Sequence, residues 1–244
     1  MSFRAVLFDQ GNTLIEYSLQ GRWREFCLER LTEMYPRVCD DSRANITCAD
    51  FAEKMRDGIR TKGTEIERQG LSWYFTDRLR QALAEVGIAF GAAQLEQLVE
   101  WFYQPIRGCT KPYPETAEVL QKLKLQGLRL AVITNAPWDA PTYLVRGDLE
   151  HWEMTHYFDA FICSGEVPWR KPNPKFMFAA AEALCIEPEE CLVVGDSLEA
   201  DIAGAQSAGM LSAWVNRTGE LLPPDAPQPD WEIRSLADLL EIVS

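Results

Sequence analysis

An α/β fold, a parallel sheet wrapped in helices with a helical module inserted near its start, is predicted by three features of the sequence. Five short apolar runs recur along the chain. Helix-like segments separate the later four of them, and a long amphipathic stretch stands between the first run and the second. Strand and helix in alternation argue for a parallel sheet.

The runs are Phe3 to Phe8, Leu128 to Ile133, Ala160 to Cys163, Cys191 to Val194 and Leu211 to Val215. Their apolarity is continuous rather than alternating, as in strands covered on both faces. Before the second run, PETAEVLQKLKLQG opens on a proline and an acid and stops at Gly127, and Ala117, Leu120 and Leu123 can share one helical face. Near the end, SLADLLEIV carries a capping pair, Ser235 and Asp238, with Leu236, Leu239, Leu240 and Val243 at helical spacing. The preceding LLPPDAPQPDW reads as a proline-rich surface loop.

The gap between the first two runs is too long for a connecting loop. Within it GRWREFCLERLTEMY, ADFAEKMRDGIR, WYFTDRLRQALAEVG and AQLEQLVEWFYQ all have helical apolar periodicity, divided by polar or glycine-containing turns. Residues 1–15 and 111–244 therefore form the expected α/β core, and 16–110 the inserted helical module. Trp23, Trp73, Tyr74, Trp101 and Phe102 read mainly as its packing, with one or two of them left to line a pocket.

Asp and Glu total 37 against 24 Lys and Arg, a net charge of -13 that repels nucleic acid and anionic membrane. No nucleic-acid or membrane partner is expected, and any phosphate must be held by a local device. The opening MSFRAV has no charged leader ahead of an apolar segment, and no stretch approaches the roughly 20 apolar residues of a membrane span, so a cytoplasmic, soluble protein is expected. The seven cysteines are scattered without a C-x-x-C pair and read as reduced packing thiols.

In an open parallel sheet, ligands sit beyond the carboxyl ends of the strands. The first run ends on Asp9, the second on Thr134 and Asn135, the third on Ser164 and the fourth on Asp196 after Gly195. A carboxylate at a buried strand end needs a cation, hydrogen bonds or a chemical task. The stiff VPWRKPNPKF loop offers Lys171, and Asp201 follows Asp196 on the expected first helical turn of EADIAGAQSAG. Three acids, a hydroxyl and a lysine at one edge suit a divalent metal and a phosphoryl group. Hard Mg2+ takes carboxylate and carbonyl oxygens, here Asp9, a carbonyl near Gly11, and Asp196. Thr134, Lys171 and the DQGN backbone, including Asn12, would then neutralise phosphoryl oxygens.

Four separated stretches together resemble the haloacid dehalogenase superfamily: FDQGNTL, VITNA, RKPNP and VGDSLEADIAGAQSAGM. The resemblance covers nearly the full chain, and the helical insertion falls where that family places its cap. It implies a Rossmann-like sheet with a mobile helical cap, and a phosphatase acting on a small phosphorylated metabolite through an aspartyl-phosphate on Asp9. Mg2+ would be held by Asp9, the Gly11 carbonyl and Asp196. Thr134 and Lys171 take the catalytic positions of their motifs, Asp201 would orient metal-bound water or Lys171, and Asn135 would contact phosphate or substrate.

One position departs from the pattern. Where the family's phosphatases usually carry an acid two residues after the nucleophile, this chain has Gly11, which cannot transfer a proton; such acid–base help is worth roughly 100-fold to 10,000-fold. Haloalkanoate dehalogenation would put a tyrosine there and needs no metal, against the intact GDSLEAD acids. A phosphonatase-type C–P hydrolase would use a cap lysine for a Schiff base, with Lys54 as the candidate, although a solvated helix lysine is the plainer reading. A non-catalytic phosphate-binding relative is opposed by Asp9, Thr134, Lys171 and Asp196 standing together. Arg170 reads as an exposed loop arginine, and Glu166 and Trp169 as neighbours of the cap.

Overall fold

The computed structural model describes residues 3–19, 21–39 and 46–243, the side chains of 60–67 excepted. Six parallel strands form the main sheet in the order β5-β4-β1-β6-β7-β8: β1 Ala5–Phe8, β4 Arg129–Thr134, β5 Ala160–Cys163, β6 Cys191–Gly195, β7 Leu211–Val215 and β8 Trp231–Ile233. β1 lies at the centre, with Phe8 level with both Val132 and Val194. The chain crosses to one side for β4 and later to the other for β6, so the carboxyl end of β1 is a topological switch point, where such sheets place ligands.

Continuous apolarity has the physical cause inferred from it. Val6 and Phe8 face one core with Leu130, Val132, Leu192 and Val194, while Ala5 and Leu7 face a second with Ala131, Ile133 and Val193. The first core extends through α5 Thr116–Leu125 and α6 Thr142–His151 into the helical insert. The second is closed by α7 Pro174–Leu184, whose Phe176, Met177 and Ala180 are fully buried. All seven cysteines are free, and Cys27, Cys39, Cys163 and Cys191 are buried.

Helices α1 Trp23–Val38, α2 Cys48–Arg68, α3 Phe75–Glu85 and α4 Ala92–Arg107 make up the insert. It enters and leaves through an antiparallel pair, β2 Ile15–Tyr17 with β3 Thr110–Pro112. That pair and β8 have three residues each and fall below the length at which apolar patterning is readable. Trp231, assigned to the proline-rich loop by its sequence, instead opens β8. The last helix is shorter than its periodicity suggests: a 3-10 turn at Leu236–Asp238, capped by Ser235 and Asp238, leads into the single turn α9 Leu239–Ile242.

The insert docks on the core at a second place. Leu71 bridges Trp169, the Ser72 N–H donates to the Pro168 carbonyl and the Arg170 N–H to that of Gly70. The loop carrying Lys171 is thereby tied to the α2–α3 connection, and Trp169 lies at this contact as expected. Among the described residues, no helix is long and apolar enough to cross a membrane.

Candidate active site

Asp9 is the first residue beyond β1 and its N–H donates to the Val194 carbonyl, which continues the ladder and fixes where the carboxylate points. Lys171 reaches it across the sheet end. The Nζ group lies 2.6 Å from Asp9 Oδ1, 2.6 Å from Asp201 Oδ1 and 2.9 Å from the Ile133 carbonyl, so all three of its protons have acceptors. Lys171 and Asp201 are almost fully buried. An ion pair that deep is tolerated only when its hydrogen bonds are complete.

Asp201 is placed by a local device that the sequence does not disclose. Instead of the first turn of an α-helix it occupies a π turn, Leu198–Ile202, ahead of the short helix α8 Ala203–Ser207. The wider turn lets Asp201 Oδ2 fold back to accept the Ser197 N–H at 3.0 Å. Only glycine is possible at 195, because a Cβ there would fall 2.2 Å from Asp201 Cγ. Asp196 is fixed from both sides: Trp214 Nε1 donates to its carbonyl at 2.9 Å, and Asn12 Nδ2 to its Oδ2 at 3.2 Å.

Carboxylate oxygens of Asp9, Asp196 and Asp201 lie within 4.8 Å of one another. Burial raises Asp9 to about 8, against the opposing pull of Lys171 and with further push from Asp201 and Asp196. Asp196 is raised to about 6, again by burial first and Asp201 second. Against its own burial, which would lower it, the carboxylates of Asp201 and Asp9 hold Lys171 protonated well above its ordinary range. Three acids against a single lysine leave a negative surplus in a low-dielectric pocket. An all-oxygen cluster of this kind suits a hard divalent cation such as Mg2+.

These groups open on a cavity of about 390 Å³ that is also lined by Gly11, Asn12, Thr134 and Asn135. Every site residue expected from the sequence therefore meets at one place. Asn135, at the cavity wall, is also bonded to the lysine loop. Its Nδ2 donates to the Lys171 carbonyl and its Oδ1 accepts the Lys171 N–H, at 3.0 and 2.9 Å, so the amide shapes the lysine loop. Arg170 is not an exposed loop residue: its side chain is 17% exposed, lines the cavity and pairs with Asp139 at 3.4 Å. Lys54 is exposed on α2 and does not line the cavity.

Two wall residues, Tyr17 and Trp138, were not legible as site residues. A Cβ at Gly11 would lie 3.3 Å from Tyr17 Cε2, so the tyrosine ring borders the space a side chain at position 11 would need. The Tyr17 hydroxyl is turned away from the cavity. It donates to Asp148 at 3.0 Å and accepts from Gln10 Nε2 at 2.9 Å, and Tyr103 also donates to Asp148, at 2.8 Å. Burial pushes Asp148 up to about 6 even against these hydrogen bonds. Asp148 stands 131 residues from Tyr17 in the chain, beyond the reach of any local pattern.

A strand-end carboxylate, a lysine and two further acids thus meet at the switch point of a parallel sheet, beneath a helical insert. The chain belongs to the haloacid dehalogenase-like hydrolase family, which matches residues 3–209. It is 35% identical over 169 residues to the phosphoserine phosphatase of Thermus thermophilus, covering 69% of this chain and 64% of that protein, just under two thirds of its length. It is 28% identical to the N-acylneuraminate-9-phosphatase of Mus musculus, covering 97% and 92%. Among solved structures it resembles the HAD phosphatase of Thermococcus onnurineus, with a TM-score of 0.67, 26% identity and 100% and 98% coverage. The Bacillus subtilis protein YfnB, solved bound to magnesium, shares the fold at a TM-score of 0.62 and 23% identity over the whole of both chains.

Proposed function

We propose that the protein is a Mg2+-dependent phosphomonoesterase that hydrolyses a small phosphorylated metabolite through an aspartyl-phosphate on Asp9. The observation that carries this reading is Asp9 at the end of β1, with Lys171 Nζ 2.6 Å away and the carboxylates of Asp196 and Asp201 within 4.8 Å. The phosphatase relatives and the magnesium-bound fold relative support it.

Asp9, Asp196 and the Gly11 carbonyl would hold the metal. A divalent cation bound there offsets the charge of both carboxylate and phosphate, so that one anion can approach another. An oxygen of Asp9 attacks phosphorus, the P–O bond to the alcohol breaks, and the bonding pair leaves on the alcohol oxygen. Water then adds to phosphorus, releasing inorganic phosphate and restoring the carboxylate. Lys171 acts here through its charge, because its three protons are already bonded. Thr134, buried at the cavity wall, would meet a phosphoryl oxygen. Asp201 and Asn135 hold Lys171, from its head and its backbone respectively. Residues 16–110 would act as the cap, whose docking excludes water.

Gly11 has no proton to give, and the Tyr17 hydroxyl is bonded to Asp148. Esters of acidic alcohols should therefore turn over faster than alkyl esters, whose alkoxide leaves poorly without a proton. The Schiff-base alternative has little support, since Lys54 lies on the outer surface. The test is a panel of phosphorylated metabolites assayed with and without Mg2+ beside Asp9→Asn. Mg2+-dependent phosphate release by wild type, absent from the variant, is expected; release no greater than the variant's on every substrate would end the reading.

A metal dependence of stability is expected as well. Asp9 and Asp196, raised to about 8 and about 6 in the metal-free fold, bind protons more tightly there than in the unfolded chain. Metal-free stability therefore falls as pH rises from the ordinary carboxylate range through these values. Mg2+ binds the ionised forms, so its stabilising effect must grow over the same interval. Thermal melts should show a larger Mg2+-induced rise in Tm at pH 8.5 than at pH 6; equal shifts would contradict a site built on these carboxylates.

A further inference from the structure

Opposite the acids, the cavity is aromatic. Tyr17 from the β2 hairpin, Trp23 at the start of α1 and Trp138 from the loop after β4 all line it. Tyr17 and Trp23 have ring centroids 5.6 Å apart, and Trp23 meets Trp138 edge-on at 5.6 Å. Both indoles are half-buried and keep part of their surface toward the cavity. Pro137 and Ala136 continue the apolar surface.

This wall is held in place at a conformational cost. Trp138 and Asp139 both have left-handed backbone angles, φ 54° and 53°, a region that side-chain-bearing residues seldom adopt. The fully buried Asp139 locks them there. It accepts the Ser164 hydroxyl at 2.6 Å, the Trp73 N–H at 3.0 Å, and Arg78 and Arg170 at 3.4 Å each. Gly165 permits the close approach, since a Cβ there would fall 1.9 Å from the Ala140 carbonyl oxygen. The back of Trp138 stacks on Phe26 and meets Phe75 and Phe102.

Three polar groups near the wall are already committed. The Tyr17 hydroxyl serves Asp148, the Asn135 amide serves the Lys171 backbone, and Arg170 serves Asp139. A polyhydroxylated alcohol would lose water from its hydroxyls against indole carbon without equivalent partners. A flat apolar ring loses little and gains aromatic contact. We propose that the leaving-group side of this site selects phosphomonoesters whose alcohol part carries an aromatic ring, packed against Trp23 and Trp138. The inference rests on the phosphatase reading and narrows its substrate class.

The test separates ring recognition from leaving-group chemistry. With Mg2+-loaded full chain, 2-phenylethyl phosphate and ethyl phosphate share an alkoxide leaving group and differ in the ring. KM for the phenylethyl ester is expected to be about 10-fold lower, with kcat within about threefold. Trp23→Ala should raise the phenylethyl KM, so that the ratio of the ethyl to the phenylethyl KM falls from about 10 toward one. Equal KM values for the two esters in wild type, or a lower KM for glucose 6-phosphate, would overturn the proposal while leaving the phosphatase intact. Binding gives a readout independent of turnover and of that variant's folding. Phenylphosphonate should quench wild-type tryptophan fluorescence at about 10-fold lower concentration than methylphosphonate, and equal concentrations would overturn the proposal even if no ester is hydrolysed.

Discussion

Asp9→Asn is expected to lower Mg2+-dependent phosphate release by at least about 1,000-fold while leaving the fold nearly as stable as wild type. The two halves of that result come from one fact. Buried among Asp196 and Asp201, Asp9 is raised to about 8 and so carries a proton for much of the time at neutral pH without metal. Asparagine mimics that neutral form in shape and still offers an oxygen to Lys171. What it cannot offer is a carboxylate oxygen to attack phosphorus or to ligate a cation. Denaturant melts of the metal-free proteins should nearly superimpose, whereas phosphate release should separate them. A variant keeping more than about a tenth of wild-type turnover would remove Asp9 from the nucleophile's role.

Lys171→Met should act on stability and activity together. The ammonium lies between Asp9 and Asp201, and its loss leaves three clustered acids without their cation. Breaking a buried pair in this way costs roughly 3 to 5 kcal/mol, because the remaining charge stays buried and uncompensated. The deficit should be largest near pH 8 and shrink toward pH 5, as the carboxylates relieve their repulsion by taking up protons. Mg2+ should recover part of it. Urea melts at the two pH values, with and without Mg2+, measure this. A variant as stable as wild type at pH 8 would show that Lys171 does not compensate the acids.

Much of this centre was readable because each group stands next to a strong local signal. Asp9, Thr134 and Asp196 follow apolar runs, and Lys171 sits in a proline-braced loop. The five longer strands were readable for the same reason: strands buried on both faces are apolar without a break. The hairpin β2–β3 and strand β8 were not, since three residues carry no period. The fate of the Asn135 amide was also hidden, because its partner is a backbone 36 residues away.

The sequence alone determined the parallel sheet, the helical insert and the identity of the acids and lysine at the strand ends, because local periodicity and strand-end polarity are properties of contiguous residues. Only the tertiary structure decided what stands beside Gly11. The Tyr17 ring is held there by Asp148 across 131 residues, and Trp138 is held in a left-handed turn by the buried Asp139, whose donors include Arg78, 61 residues away. Such anchors arise when distant segments pack together and bury a polar atom that must then find a partner. Nothing in either segment by itself signals the other.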